Sequence, residues 1–245
     1  MKKYFIIIFL FVAGLSYSQT SDKDYFPKHK KVDKVKIIQF ARKGQTNFVK
    51  KITALNFYNS SDARSFYDEK IKDLESMIDE GQFFDDDTSW VLINKVFKKI
   101  IAANPEFNTE YCLLLSKSPI PNAYSWGQGF FVVNAGLIAK YPSEGELAFV
   151  MAHELSHNYL NHDLQRFTFK KELEKNTNVK KSIKRALRQK YQRYYAANEI
   201  LKSFNLDLNF NSREHELQAD SLGAIALVKA GYAVENAFSS LQLLD

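Results

Sequence analysis

The feature that most constrains this chain is a His-Glu-x-x-His pattern at positions 153–157. The apolar residues around it recur at helical spacing, so the pattern is expected to lie on an α-helix. Residues four apart share one helical face, which lets His153 and His157 offer imidazole nitrogens to one metal ion. Glu154 lies about 100° around the helix, where it reaches a water molecule at that ion without being a ligand. The pattern is typical of zinc hydrolases, and the alternative is a pair of surface histidines beside a glutamate.

A catalytic zinc ion needs a third protein ligand, with water in the fourth position. The best candidate is Glu216, on a helix that is expected to begin near position 212. Asp220 is four residues further on and shares its face, so it is expected to accept a hydrogen bond from the distal nitrogen of a ligating histidine. Glu214 and His215 remain the alternatives for the third ligand.

The residues around these two helices narrow the class of site. A metzincin would have Gly at position 160 and His at position 163, whereas this chain has Leu160 and Asp163, which excludes that class. His162 lies off the helical face that carries the motif, so we expect a surface histidine there. The small residues Ala219 and Gly223 predict that the helix of the third ligand approaches the motif helix closely.

The chain before the motif contains two helical patterns. Apolar residues at helical spacing predict helices over 61–81 and 88–103. The second helix is expected to turn seven residues inward: Trp90, Val91, Ile93, Val96, Phe97, Ile100 and Ile101. Between 35 and 55 short apolar groups alternate with lysines, which predicts a strand or a short helix.

The pattern then becomes extended and returns to helix at the motif. Runs rich in β-forming residues at 111–116 and 129–133 predict strands, with irregular backbone between them. Pro119 and Pro121 in this stretch cannot donate to a ladder, which suits an edge strand or a connection to one. A Ser-x-x-Glu capping box at 143–146 starts the motif helix. We therefore predict an α+β, mostly helical fold with a small sheet packed beside the active-site helix.

The first 18 residues resemble a secretory signal: Lys2 and Lys3 precede an apolar run that ends at a small-x-small site before Gln19. We therefore expect an exported protein, periplasmic or secreted, with an uncleaved segment that anchors it to the membrane as the alternative. The predicted organisation is a signal peptide over 1–18, an N-terminal lead-in over 19–60 and one domain over 61–245. Cys112 is the single cysteine, which excludes an internal disulfide.

The net charge of +6 is unevenly distributed. Residues 163–195 contain eleven Lys or Arg residues and only three acidic residues. The basic segment 166–193 is expected to be a solvated helix, with contact to an anionic membrane surface as a further possibility. Export excludes most nucleic-acid roles, so we expect no nucleic-acid partner.

The motifs together resemble the HtpX/BepA/Oma-like zinc metallopeptidases, the family that includes the CAAX prenyl endopeptidase. The resemblance rests on His153-Glu-x-x-His157, on Glu216-x-x-Ala-Asp220, and on two upstream stretches at 122–124 and 129–137. It covers residues 104–232. The chain lacks the multiple membrane spans of the prenyl endopeptidase and HtpX branches, which favours a periplasmic, single-domain branch.

The resemblance implies a zincin-like domain of the gluzincin class that binds one zinc ion per chain. His153, His157 and Glu216 would be the zinc ligands and Glu154 the catalytic base and acid. Asn122, Ala123 and Tyr124 match the segment that borders the cleft for an extended peptide. The expected activity is endopeptidase action on exported or envelope proteins, with peptides or unfolded proteins as partners. The alternative is an envelope chaperone or assembly factor that uses the same fold for binding.

Overall fold

The computed structural model describes residues 31–55, 59–85, 87–107, 110–141, 143–175, 181–182, 184–186, 188 and 212–244. The predicted signal peptide and much of the basic segment lie outside these residues. The helices of the described part are α1 Lys34–Ala54, α2 Ser60–Asp79, α3 Asp87–Ala103, α4 Ala135–Lys140, α5 Glu144–Tyr159, α6 His162–Lys175, α7 over 212–229 and α8 Glu235–Leu244. A short 3-10 turn covers Pro105–Phe107.

Helix α1 is a long helix that packs into the body of the protein. Asp33 caps its first turn by accepting a hydrogen bond from the Lys36 amide at 3.1 Å. The prediction of a strand or short helix over 35–55 was wrong in length, because the buried positions include small residues that do not register as apolar. Its buried residues recur at intervals of four or three: Ile37, Ala41, Gly44, Phe48 and Ile52.

The sheet has four strands in the order β1-β2-β4-β3. Their bounds are β1 Phe83–Phe84, β2 Cys112–Ser116, β3 Ala123–Gly127 and β4 Phe130–Asn134. Strand β2 is parallel to β4, while β1 and β3 are antiparallel to their neighbours. The predicted strands at 111–116 and 129–133 are confirmed within one residue. Strand β3 follows the two prolines and is an edge strand of the sheet, which agrees with the edge strand or connection expected there.

Two hydrophobic clusters cover the two faces of this sheet. On one face α1 and α2 pack with Phe167 of α6 against β2 and β4. On the other face α3, α5 and α7 form the larger cluster. Trp90 and Val91 are 37% and 58% exposed, so their prediction as inward residues was wrong. Val91 lies about 200° around α3 from Ile93, on the side away from the core, and Trp90 lies in the first turn of the helix. The buried apolar residues of α3 are Ile93, Val96, Phe97 and Ile100.

Helix α5 passes through the larger cluster. Ser143 caps this helix as predicted, since its Oγ accepts from the Glu146 amide at 3.2 Å, and the Glu146 carboxylate contacts the Ser143 hydroxyl at 3.1 Å. Most of the following residues are buried on several sides of the helix: Leu147, Ala148, Phe149, Val150, Met151, Ala152 and Leu155. The packing leaves α5 little freedom to shift, and the predicted α+β, mostly helical fold with a small sheet beside this helix is confirmed.

The membrane and cysteine predictions can be compared with the described residues. None of its helices is long and apolar enough to cross a membrane. Burial raises the pKa of the Cys112 thiol to about 12, so this cysteine stays a neutral thiol at physiological pH.

Phe48 joins α1 to α2 and α6, and its removal tests that contact. Its ring is fully buried and lies 5.4 Å from the rings of Tyr67 and Phe167. We expect Phe48→Ala to lower the free energy of unfolding by about 3–5 kcal/mol, because the cavity loses both transfer energy and packing contacts. Val35→Ala, at a position of α1 that is 65% exposed, is the matched control. Equal denaturation midpoints for the two variants would contradict the packing of α1.

Candidate metal centre

Helix α5 brings the two motif histidines to one point. Successive turns of this helix carry His153 and His157, and their Nε2 atoms are 2.9 Å apart. The other nitrogen of each ring has a separate partner, so both Nε2 atoms are directed at the same location. Helical spacing alone makes this convergence possible, and burial of α5 holds it.

Helix α7 supplies the third group. Glu216 Oε2 lies 3.3 Å from His153 Nε2 and 3.4 Å from His157 Nε2. The approach depends on Gly223, where a Cβ atom would lie 3.0 Å from the His153 amide nitrogen and 3.1 Å from its Cα. The close approach predicted from Ala219 and Gly223 is therefore present, and it places Glu216 over the histidine pair.

These three atoms fit a tetrahedral metal ion. Ligands about 2.0–2.1 Å from a zinc-sized ion at tetrahedral angles lie about 3.3 Å from one another. The observed separations of 2.9, 3.3 and 3.4 Å surround that value. Two imidazole nitrogens and one carboxylate oxygen form a donor set that suits zinc and related divalent metals. His153, His157 and Glu216 are thus a group of side chains, among the described residues, that could hold a metal ion.

Asp220 orients and charges the first histidine. Its Oδ1 lies 2.8 Å from His153 Nδ1, one turn after Glu216 on the same face of α7. Burial alone would lower the pKa of His153, but the hydrogen bonds to Asp220 and Glu216 outweigh it and raise the pKa to about 10. The pKa of Glu216 is correspondingly lowered, because both imidazoles bond to its carboxylate and outweigh its burial.

Glu154 lies beside the three candidate ligands and does not belong to them. Its Oε2 accepts a hydrogen bond from the Ser125 amide of β3 at 2.7 Å. Burial raises the pKa of this carboxyl above its ordinary value, against the opposing charges of His153 and His157. A carboxylate fixed in this way can accept and return a proton at a neighbouring water molecule.

His162 does not lie on the surface, so that prediction was wrong. Its side chain is fully buried, and its Nδ1 is 2.8 Å from Nδ1 of His157. Extending the motif helix would have directed His162 away from His157, but α5 ends at Tyr159. Asn161 has a φ of +56°, a left-handed conformation that turns the chain and starts α6 at His162.

The two alternatives for the third ligand lie outside the triad. Glu214 is exposed on α7. His215 is buried and stacks on His162, with ring centroids 4.2 Å apart and an angle of 15° between the planes. Its Nε2 lies 2.9 Å from Gln165 Oε1. The sequence signal for the stacked pair was one additional histidine near each group of candidate ligands: His162 after the motif and His215 before Glu216.

Asn122, Ala123 and Tyr124 lie at the start of the edge strand β3. The backbone N–H of Asn134 donates to the backbone carbonyl of Asn122 at 3.0 Å, so Asn122 and Asn134 are a hydrogen-bonded pair of the β3–β4 ladder. Antiparallel pairs alternate, so Ala123 and Ser125 form non-bonded pairs with β4. Their backbone groups are directed to the outer edge of β3, beside which no further strand lies in the described part of the chain. The bond from the Ser125 amide to Glu154 agrees with this alternation.

Replacing Gly223 tests whether the contact between α5 and α7 assembles the site. We expect Gly223→Val to weaken divalent-metal binding by about 10-fold or more, because the added side chain forces α7 away from the backbone at His153 and withdraws Glu216. Ser221→Val, at an exposed position of α7, controls for a β-branched residue in this helix. Titration with a competing chelator measures both variants, and equal affinities would contradict the assigned role of Gly223.

Comparison with known proteins assigns the chain to a family. A model of Peptidase family M48 matches residues 92–241, which is more than half of the chain and includes every candidate residue of the metal centre. The chain is also 27% identical over 138 residues to the mitochondrial metalloendopeptidase OMA1 of Schizosaccharomyces pombe (strain 972). That alignment covers 56% of this chain and 39% of OMA1, so the chain spans well under two thirds of that relative. The resemblance predicted from the motifs is confirmed: the chain belongs to peptidase family M48.

Proposed function

We propose that this protein is a zinc-dependent endopeptidase. The observation that carries the proposal is the convergence of His153 Nε2, His157 Nε2 and Glu216 Oε2 at 2.9–3.4 Å from one another, with Glu154 beside them. Membership of peptidase family M48 and likeness to a metalloendopeptidase support the same reaction. A donor set of two imidazoles and one carboxylate is that of a catalytic site, which leaves a position for water or substrate.

Glu154 is the group that moves protons in this proposal. His153, His157 and Glu216 would hold the zinc ion, which would supply a Lewis acid for the scissile carbonyl and lower the pKa of a water molecule. The Ser125 amide holds the Glu154 carboxylate at one oxygen, so the other oxygen is available for proton transfer. Burial raises the pKa of Glu154 in the direction of neutral pH. This suits a group that accepts a proton from water and delivers it to the leaving amine.

We propose that substrate binds along the outer edge of β3, beside which no further strand lies among the described residues. Ala123, which is 6% exposed, directs both backbone groups toward this edge. Ser125 directs its carbonyl there, while its amide is engaged by Glu154. A peptide that adds to this edge as a further strand would be held by main-chain hydrogen bonds, which tolerate varied side chains. Asn122 and Tyr124 flank Ala123 on this strand. Unfolded or extended segments are therefore the proposed substrates.

The proposed place of action is outside the cytoplasm, with exported or envelope proteins as substrates. The basis is the signal-like sequence at 1–18, which lies outside the described residues. Contact between the basic segment 166–193 and an anionic membrane surface is part of this proposal, supported by the excess of Lys and Arg in the sequence.

The role of Glu154 is tested by Glu154→Gln. We expect the variant to bind one zinc ion with near wild-type affinity, because Glu154 is not among the converging ligands. Cleavage of unfolded casein should fall by about 10²–10⁴-fold, because the amide accepts no proton. Glu214→Gln, an exposed acid on α7, is the matched control.

The outcomes separate the candidate functions. Full proteolysis by zinc-loaded Glu154→Gln would contradict the assignment of Glu154. If wild-type protein cleaves nothing but retains partners that Glu154→Gln also retains, a chaperone or assembly role replaces the peptidase.

Zinc binding should release a proton from the site. The pKa of His153 is about 10 without metal, so at pH 7.5 the ring carries a proton that must leave before its Nε2 can ligate zinc. We expect about one proton released per zinc ion at pH 7.5, and an affinity that rises with pH until about pH 10. Calorimetry in buffers of different ionisation enthalpy measures the release.

Asp220→Asn is the matched variant for this measurement. It removes one of the carboxylates that raise the pKa of His153, so fewer protons should be released at pH 7.5. Identical proton release by wild type and Asp220→Asn would contradict the coupling between these two side chains.

A further inference from the structure

The second zinc ligand has an unusual partner on its far side. His157 directs Nε2 toward the candidate metal centre, while its Nδ1 lies 2.8 Å from Nδ1 of His162. Two ring nitrogens at this distance share one proton between them. If Nε2 of His157 ligates a metal, its proton resides on Nδ1, so His157 is the donor. His162 must then accept through an unprotonated Nδ1.

Gln218 determines which nitrogen of His162 carries the proton. Its Oε1 lies 3.1 Å from His162 Nε2, and an amide oxygen can only accept a hydrogen bond. His162 therefore carries its proton on Nε2 and leaves Nδ1 as an acceptor. The two hydrogen bonds run in one direction, from His157 to His162 and from His162 to Gln218.

The ring of His162 is held in the orientation that this chain of bonds needs. The side chain is fully buried and stacks on His215 with ring centroids 4.2 Å apart. His215 is itself bonded at Nε2 to Gln165 Oε1, at 2.9 Å. His162 lies at the start of α6, whereas His215 and Gln218 lie on α7. The contact therefore spans α5, α6 and α7.

The geometry points to His162 as a positioning residue for zinc ligand His157, with Gln218 selecting the tautomer through which it acts. The inference rests on the proposed zinc site and assigns the support of its second ligand. His153 has a charged partner, Asp220, whereas His157 has a neutral one. A neutral acceptor orients His157 without adding a further carboxylate to those of Glu154, Glu216 and Asp220 around the two rings.

Zinc affinity of three full-length variants tests this inference. His162→Leu fills the buried space with an apolar side chain and removes the acceptor. His162→Asn restores an acceptor, because the amide oxygen follows Cγ directly, as Nδ1 does in histidine. His215→Phe keeps an aromatic ring for the stack and leaves the bond between His157 and His162 intact. Thermal unfolding of the metal-free proteins controls for loss of fold.

We expect zinc binding, measured by competition with a chelator, to weaken by about 10–100-fold in His162→Leu and by less than about 3-fold in His162→Asn and His215→Phe. The visible spectrum of the cobalt-loaded protein is a second measure, since it reports on ligand geometry and not on stability. The spectrum should change in His162→Leu and return toward wild type in His162→Asn. In zinc-loaded wild type, long-range ¹⁵N–¹H NMR should show His162 protonated on Nε2.

Two results would overturn the inference while the proposed function stands. One is wild-type zinc affinity in His162→Leu, and the other is an equal loss in His162→Asn and His162→Leu. Loss of affinity in His215→Phe as large as in His162→Leu would also overturn it, because packing would then be the cause. Wild-type protein that binds no zinc would overturn the proposed function, and this inference with it.

Discussion

The contact between the backbones of α5 and α7 is the constraint on which the rest of the site depends. Gly223 brings α7 so close to His153 that a single added carbon atom would crowd the backbone. At that separation one helix reaches both motif histidines. Glu216 meets their Nε2 atoms and Asp220 meets the far side of His153, while Gln218 meets His162 behind His157. A single helix placement thus sets one candidate ligand and the partners of the two candidate histidine ligands.

Charge makes this assembly a site for a cation. Three carboxylates, those of Glu154, Glu216 and Asp220, surround two imidazole rings in a partly buried location. The carboxylates raise the pKa of His153 to about 10 in spite of its burial, so without a metal ion a proton on this ring offsets part of the negative charge. A divalent cation can replace that proton and satisfy the same carboxylates, so the electrostatics and the ligand geometry indicate the same occupant.

The turn between α5 and α6 links the metal centre to the proposed substrate strand. His162 and Asp163 are adjacent at the start of α6. His162 supports His157, while Asp163 packs against Gly127 at the end of β3, where a Cβ atom would lie 2.0 Å from its carboxylate oxygen. Gly127 has a φ of +85°, so this position needs glycine for both conformation and space. The edge strand and the second histidine are therefore positioned by neighbouring residues of one helical turn.

Local patterns in the sequence determined the elements and the main chemical groups. Spacing within single helices is enough to place His153, Glu154 and His157 relative to one another, and to pair Glu216 with Asp220. The helical periods, the cap at Ser143 and two of the strands were likewise predictable from neighbouring residues. Helix α1 was underestimated because small buried residues such as Ala41 and Gly44 carry little apolar signal.

The tertiary structure alone decided which groups meet between elements. Asn161, in a left-handed conformation, turns the chain so that His162 contacts His157. A helix continued past Tyr159 would instead have placed His162 on the surface. The bond from β3 to Glu154 depends on sheet order, which no local pattern specifies. Spacing determines geometry along one helix, but contacts between helices depend on turns and on close packing, which are settled only when the whole chain folds.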